Sequence, residues 1–178
     1  PATAVAVGKM CMHYGQKWVN ERVQWGAPIG KHQPVARMIA EMAADTFAMD
    51  SVNALACEMV DQGGVDVRLE AAVAKYYCSE TAWRIVDDFL QVRGGRGFET
   101  AESLGTRGEE PIPTERMLRD ARISRIIEGT SEIMRLFIAR EALDAHVRRI
   151  MPLMTGKGPR GRLLWDAVKF YARWYPKL

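Results

Sequence analysis

The sequence predicts an all-α fold, a four-helix up-and-down bundle with a C-terminal amphipathic helical extension. Long segments carry apolar residues at helical spacing, glycine or proline separates them, and no strand-rich segment interrupts them. With 178 residues and 48% hydrophobic content, the chain is large enough for one domain with a real core. We expect the bundle over residues 1–147 and a basic tail over residues 148–178.

The first two helices are predicted at about residues 4–24 and 33–61. The first ends before Gly26 and Pro28, and the second ends at Gly63. One face of the second helix has the spacing of 3.6 residues that a buried helix face requires. Its members are Val35, Met38, Ile39, Met42, Ala43, Thr46, Met49 and Asn53.

A third helix is predicted to begin after a cap at Asp66 and to reach Arg93. The charged run that follows, between Phe98 and Arg119, contains proline and glycine and predicts a surface loop. An inert excursion is the favoured interpretation of this loop, because surface loops tolerate insertions well.

Two further helices are predicted, one from about Pro113 to Ile126 and one from the cap at Thr130 or Ser131 to about Val147. Connections between the predicted helices are mostly short. Long antiparallel helices joined by short turns are typical of a four-helix bundle.

The positive charge of the chain is concentrated in its tail. From Val147 to Leu178 there are eight Lys or Arg against Asp166 alone, whereas the whole chain has a net charge of +3. A glycine-rich hinge precedes a predicted helix with an apolar face and a basic face. The apolar face contains Leu164, Ala167, Val168, Tyr171, Trp174 and Tyr175, and the basic face contains Arg162, Lys169 and Arg173.

Two partners suit this tail. Its apolar face could dock onto another part of the same oligomer, or the helix could lie on an anionic membrane surface. A nucleic-acid partner is not expected, because aromatic and basic residues lie on opposite faces. No apolar run approaches the roughly 20 residues that span a bilayer, and no secretory signal is visible.

The cysteines and histidines do not predict a metal site. Cys11, Cys57 and Cys78 are widely spaced without a C-x-x-C pair, and we interpret them as buried free thiols of a reducing compartment. His13 and His146 are expected on helix surfaces.

Glu128 is the most informative single residue. It follows two isoleucines and precedes the helix-start signal Gly129-Thr130-Ser131. The apolar lead-in predicts partial desolvation, which would raise the pKa of the carboxyl group and make it a better base near neutral pH. The alternative is that Glu128 only ends one helix beside the cap of the next.

A second informative segment is Gln91–Phe98, where a long helix ends in three glycines within four residues. The backbone can turn tightly there and present N–H groups to an anion or a ring system. A purely geometric role at the end of the helix is the alternative. The glycines follow a helix, so this is not the nucleotide fingerprint that begins after a strand.

These segments, together with residues 20–33 and 115–123, resemble in order and spacing the C-terminal domain of flavin-dependent acyl-CoA dehydrogenases. The resemblance covers about residues 1–146 and is most specific from Arg119 to Glu141. The tail is similar to the C-terminal extension of long- and very-long-chain members. The resemblance implies an acyl-CoA substrate and FAD as cofactor.

The catalytic base of the family is the Glu of an E-G-T motif, which falls on Glu128. The resemblance implies that this carboxylate removes the α-proton of an acyl-CoA thioester. The flavin N5 would accept the β-hydrogen as hydride, which gives a trans-2-enoyl product.

Cofactor contacts are implied in the same way. Arg22 and Gln24 match positions that reach the flavin pyrophosphate, and His32 and Gln33 match a pair near the adenine end. Arg22 also has a physical case of its own, because a guanidinium group binds phosphate oxygens in a bidentate manner.

Two further sets of contacts follow from the resemblance. Gln91, Gly94 and Gly95 match the segment that reaches the dinucleotide of a neighbouring subunit. Thr130 and Glu132 match the remaining dinucleotide contacts just after the base.

The full subunit of the family also has an N-terminal helical domain and a central β-domain. The chain begins with Pro1, and we expect it to be the isolated C-terminal domain, inactive and without tight FAD binding when alone. The resemblance further implies a homodimer or homotetramer, an electron-transferring flavoprotein as acceptor, and a location in the bacterial cytoplasm or the mitochondrial matrix.

The alternative function is a non-catalytic helical-bundle module for oligomerisation or membrane recruitment. Such a module would have no chemical need for Glu128 or for the set of dinucleotide contacts. Their presence together favours the enzyme.

Overall fold

The computed structural model describes residues 1–156 and 158–174, and describes Trp174 without its side chain. Tail residues Lys157, Tyr175 and Lys177 therefore lie outside the described residues. The chain divides into two compact units, Pro1–Arg135 and Leu136–Leu178. The regular secondary structure of the described part is helical except for one pair of two-residue strands, which confirms the predicted all-α fold.

The first unit is built on three long helices, α1 (Ala2–Glu21), α2 (Gln33–Gln62) and α3 (Arg68–Arg93), which pack against one another. Their largest fully buried side chains include Met42 and Met49 of α2 and Ile85 and Phe89 of α3. The core of the first unit therefore lies between these three helices.

The predicted buried face of α2 is largely correct. Met42, Thr46 and Met49 are buried, whereas Ala43 is exposed. Thr46 fits the core because its hydroxyl donates a hydrogen bond to the Met42 carbonyl oxygen (2.8 Å), so no polar group is left unsatisfied. At the start of α3, the cap residue is Val67 and not the predicted Asp66, although a carboxylate oxygen of Asp66 accepts from the Arg68 N–H (3.2 Å).

The first helix ends earlier than predicted. Strands β1 (Val23–Gln24) and β2 (Ala27–Pro28) pair in antiparallel register, so Gln24 belongs to a hairpin and not to α1. Trp25 and Gly26 form the turn and both have positive φ, 51° and 77°. Positive φ at both central residues is what a type I′ hairpin turn requires.

The segment after α3 is more ordered than the predicted surface loop. It contains α4 (Gly95–Phe98), α5 (Ala101–Thr106) and α6 (Thr114–Ile123), and α6 packs against α3. Leu104 and Thr114 have no exposed surface, and Ile112 is 6% exposed. The segment is therefore part of the core of the first unit and not an inert excursion. The predicted helix to Ile126 stops at Ile123.

The remaining helices are α7 (Ser131–Met154) and α8 (Arg160–Trp174). In the second unit, the His146 ring stacks on Tyr171 with ring centroids 5.6 Å apart, and His146 Nδ1 lies 3.3 Å from the Tyr171 hydroxyl. His146 is therefore half-buried in an aromatic contact, so its predicted position on a helix surface holds only in part. Of the predicted apolar face, Ala167 is buried while Leu164 and Val168 are exposed.

The cysteine prediction was partly wrong. Cys11 and Cys78 are buried free thiols, and burial raises the pKa of Cys11 to about 12. Cys57 is also free but exposed. Among the described helices, none combines the length and the apolar character that crossing a bilayer needs.

Candidate active site

Five of the predicted cofactor residues line one cavity of about 390 Å³ at the C-terminal end of α3. They are Arg22 at the end of α1, Gln24 in the hairpin, His32 directly before α2, and Gly94 and Gly95 after the end of α3. We call this space the glycine-corner cavity. In the sequence these residues lie in two separate segments, residues 20–33 and Gln91–Phe98, and the fold brings the two segments together.

Apolar packing holds the walls of the glycine-corner cavity in place. A small buried cluster is formed by Ile29, which follows the hairpin, with Val19 of α1 and Val92 of α3. The indole Nε1 of Trp18 donates a hydrogen bond to the Val92 carbonyl oxygen (3.2 Å), which joins α1 to α3 directly. His32 Nε2 lies 3.0 Å from the Gln24 carbonyl oxygen and ties α2 to the hairpin.

The glycines of this corner serve different purposes. Gly94 has φ 60° and ψ −140°, a backbone conformation that residues with a side chain rarely adopt. A Cβ added at Gly94 or Gly95 would have no neighbouring atom within 4 Å. Gly97 is buried, and a Cβ there would lie 2.7 Å from the Leu90 carbonyl oxygen. Gly97 thus permits close packing, while Gly94 and Gly95 leave backbone open at the cavity.

The glycine-corner cavity is positively charged. Arg22, Arg93 and Arg96 line it, and the described lining includes no Asp or Glu. Arg96 Nε donates to both carboxylate oxygens of Glu109 (2.9 and 2.8 Å). Guanidinium groups beside open glycine backbone suit the phosphates of a dinucleotide, so the residues present fit the diphosphate of FAD.

Four predicted cofactor residues do not line this cavity, namely Gln33, Gln91, Thr130 and Glu132. Gln33 is exposed at the start of α2, and Gln91 is exposed on α3. The structure therefore gives no local support to their predicted roles, which stay predictions.

Glu128 lies in the turn between α6 and α7, and we call residues 124–130 the Glu128 turn. Glu128 has φ 55°, in the left-handed region that non-glycine residues rarely occupy, and Gly129 follows with φ 92°. The side chain of Glu128 is exposed in this chain, and so are those of Ile126 and Ile127 before it, so the partial desolvation predicted from the apolar lead-in is not found here. Strained backbone of this kind persists only where surrounding contacts determine it, and it clusters at functional sites.

Three contacts from α3 determine the Glu128 turn. Lys75 Nζ donates to the Gly129 carbonyl oxygen (2.6 Å), directly after Glu128. The Glu80 carboxylate accepts from Arg125 Nε (2.7 Å) and from the Ser131 hydroxyl, so it binds residues on both sides of Glu128. Burial tends to raise the pKa of Glu80, but the hydrogen bonds from Ser131 and Arg125 outweigh it and lower the pKa.

The residues after Glu128 begin α7. The Thr130 hydroxyl accepts from the Ile133 N–H (3.4 Å), as a helix cap does, and Glu132 is exposed in the first turn. Glu80 and Arg93 are separated by about 20 Å along α3 at the rise of an α-helix. Glu128, Thr130 and Glu132 therefore lie in a region separate from the glycine-corner cavity.

Sequence reasoning missed three residues of these regions. Lys75 and Glu80 carried no signal, because their partners are more than 40 residues away in sequence. Arg93 did carry one, since it lies four residues after Phe89 on the buried face of α3. In the described part of the chain, no group of three or more His, Cys, Asp or Glu could hold a metal ion.

The fold is shared with solved structures of larger proteins. Butyryl-CoA dehydrogenase from Megasphaera elsdenii matches with a TM-score of 0.69 and 28% identity, over 80% of this chain and 34% of that one. An FAD complex of PigA matches with a TM-score of 0.69 and 27% identity, over 78% and 33%. These similarities define the class: a helical domain of the acyl-CoA dehydrogenase type.

The chain belongs to the acyl-CoA dehydrogenase family, since the description "Acyl-CoA dehydrogenase, C-terminal domain" matches residues 2–143. The probable acyl-CoA dehydrogenase FadE10 of Mycobacterium tuberculosis (strain ATCC 25618 / H37Rv) is 49% identical over 181 residues, which cover 100% of this chain and 28% of that protein. Human mitochondrial very long-chain specific acyl-CoA dehydrogenase is 37% identical over 120 residues, 67% of this chain and 17% of that protein. The chain thus spans about 28% of the length of the former.

Proposed function

We propose that this chain is the C-terminal domain of a longer FAD-dependent acyl-CoA dehydrogenase that catalyses α,β-dehydrogenation of a fatty acyl-CoA thioester. The observation that carries the proposal is the conformation of Glu128, which is left-handed, exposed and fixed from α3 on both sides. A carboxylate held in this way suits the removal of a proton from a carbon atom, because general bases act from fixed positions.

In such a reaction, the glycine-corner cavity would bind the cofactor and the Glu128 turn would supply the base. Bound FAD would supply the hydride acceptor for the β-hydrogen. Arg22 and the open backbone at Gly94 and Gly95 would hold its diphosphate, and Gln24 and His32 line the same cavity. Glu128 would take the α-proton of the thioester.

Lys75 and Glu80 are positioning residues in this account. They contact the backbone and side chains that flank Glu128, and neither is hydrogen-bonded to Glu128 itself. Their role is to keep the turn in the left-handed conformation, so that the carboxylate does not have to be ordered when substrate binds.

The test is Glu128→Gln in the full-length protein. The variant should retain FAD, because Glu128 does not line the glycine-corner cavity. Reduction of the flavin by acyl-CoA under anaerobic conditions, followed by absorbance, should slow by a factor on the order of 10²–10⁴, the contribution of a general base.

The matched control is Glu102→Gln, an exposed carboxylate on α5 that takes part in neither region. It should reduce flavin at the wild-type rate. Reduction of Glu128→Gln at the wild-type rate would remove Glu128 from the mechanism.

A non-catalytic interaction module is the second candidate function. The first turns of α7 carry exposed apolar side chains, Ile133 at 56% and Leu136 at 69%. Such residues suit a subunit contact in a homodimer or homotetramer, and an enzyme of this family would also use one. The Glu128→Gln experiment separates the two candidates, because a module would show no flavin reduction in the wild type.

The partners follow from the enzyme proposal. Acyl-CoA is the substrate, and an electron-transferring flavoprotein is the proposed acceptor of the reducing equivalents. Tail contact with a membrane surface and location in the bacterial cytoplasm or mitochondrial matrix also remain proposals.

A further inference from the structure

Arg93 is a buried cation for which neither the family resemblance nor the proposed base accounts. It lies in the last turn of α3 and is only 4% exposed. Within the part of the chain that the structure describes, its Nε has no hydrogen-bond partner and no carboxylate lies within 4.0 Å of it. Glu110 and Glu109 attract this cation only from beyond ion-pair distance, and burial lowers the pKa of its guanidinium group. A buried charge without a direct partner is costly, so the fold must gain something by keeping it.

Two aromatic rings hold the guanidinium group of Arg93. Its Cζ lies 5.0 Å from the centroid of the Trp18 ring and 5.8 Å from that of Phe89. The Trp18 ring is itself fixed by its hydrogen bond to the Val92 carbonyl oxygen. Contacts of this kind favour a cation without neutralising it, so Arg93 is positioned while its charge stays available.

The other two arginines of the glycine-corner cavity differ in their partners. Arg96 is already neutralised, because it bonds to Glu109 and also donates to Glu99 (3.2 Å). Arg22 is exposed and, among the described residues, has no carboxylate within 4.0 Å. Neither Arg22 nor Arg93 forms an ion pair among the described residues, so both guanidinium charges are available at the glycine-corner cavity, whose described lining includes no carboxylate. Both arginines also line an adjoining cavity, and there the described lining does include carboxylates, those of Glu21, Glu109 and Glu110.

We propose that Arg93 acts together with Arg22 to bind a diphosphate group in the glycine-corner cavity. Two available cations match the two negative charges of a dinucleotide diphosphate, and guanidinium groups bind phosphate oxygens better than point charges do. The inference rests on the proposed function, in which FAD supplies the diphosphate. Coenzyme A carries the same group and is the other source.

The first variant is Arg93→Met in the full-length protein, with FAD affinity and the melting temperature of the FAD-free protein as the two readouts. The dissociation constant for FAD should rise about tenfold or more, the loss expected for one hydrogen bond to a charged group. The melting temperature should stay the same or rise, because methionine fills the space between the rings and removes the unpaired charge. A merely structural role predicts the opposite pair of results.

Three further variants complete the test. Arg22→Met should weaken FAD binding to a similar extent, and Arg93→Lys should weaken it less than Arg93→Met because it keeps the charge. Arg84→Met removes the same charge from the exposed Arg84–Asp45 pair on the same helix and should leave FAD affinity unchanged. Arg93→Lys also serves as the readout of affinity if Arg93→Met does not fold.

The outcomes separate this inference from the proposed function. Arg93→Met or Arg93→Lys binding FAD as the wild type does, while Arg22→Met binds it weakly, overturns the role of Arg93 alone. Unchanged FAD affinity in Arg22→Met and Arg93→Met together overturns the cavity as the FAD site. Coenzyme A is titrated in parallel, and weaker binding of coenzyme A with unchanged FAD affinity supports the diphosphate site and assigns it to the substrate.

Discussion

The glycine-corner cavity and the Glu128 turn both depend on α3, about 20 Å apart along it, but they are held by different forces. Buried apolar contacts around Val19 and Val92 and the rings beside Arg93 shape the cavity. Polar contacts from Lys75 and Glu80 hold the turn, and Ile126 and Ile127 within it are exposed. Substitutions that change side-chain volume should therefore destabilise the cavity most. Substitutions that remove a charge should destabilise the turn most.

Gly97→Ala should produce the largest loss of stability. The added Cβ would lie 2.7 Å from the Leu90 carbonyl oxygen and 3.0 Å from Arg93 Cβ, so backbone at the cavity must shift. We expect the free energy of unfolding to fall by about 2–3 kcal/mol, the range of overpacked cores. Urea unfolding of the 178-residue chain measures it.

The matched control is Gly105→Ala in α5. Here the nearest atom to the added Cβ is Pro111 Cβ at 4.0 Å, so no clash arises. Alanine should stabilise the helix by up to about 1 kcal/mol relative to glycine. Equal effects of the two substitutions would contradict the account of Gly97 as a close-packing residue.

Glu80→Ala tests the turn and should have the next largest effect. It leaves the buried Ser131 hydroxyl and the half-buried Arg125 without their carboxylate partner. We expect a loss of about 1–2 kcal/mol in the free energy of unfolding. Glu110→Ala breaks the exposed Lys17–Glu110 pair (2.7 Å) and should cost less than about 1 kcal/mol. A larger loss for Glu110→Ala would show that Glu80 does not hold the turn.

The contribution of Glu80 should depend on pH. Its pKa is lower in the folded chain than the ordinary value of 4.5, so its stabilisation is fully present above about pH 4.5 and is lost as the pH falls through the folded pKa. The difference in stability between wild type and Glu80→Ala should therefore shrink on acidification below pH 4.5. A difference that stays constant down to strongly acidic pH would contradict the ionic role of Glu80.

The sequence predicted the long helices well, because their apolar spacing repeats over many turns. It failed where tertiary contacts decide. Gln24 was predicted in α1 but lies in a strand, because the turn at Trp25 and Gly26 allows two short strands to pair. Leu104 and Ile112 were assigned to a surface loop because charge, glycine and proline surround them, although both are buried in the core.

In the glycine-corner cavity and the Glu128 turn, too, local sequence patterns predicted single residues but not the tertiary contacts between them. Arg22, Gln24 and Gly94 could be proposed from motifs, yet their meeting in one cavity depends on the packing of α1 against α3. Glu128 could be proposed from its position before Gly129, but its left-handed backbone could not. Lys75 and Glu80 were unpredictable, since hydrogen bonds over long sequence separations have no local pattern.

The most direct measurement is the exchange of the acyl-CoA α-hydrogen with deuterium in D2O, catalysed by the full-length protein and followed by mass spectrometry. The wild type and Glu102→Gln should exchange at the same rate, and Glu128→Gln should be slower by a factor on the order of 10²–10⁴. Exchange in Glu128→Gln at the wild-type rate would show that another group removes the proton.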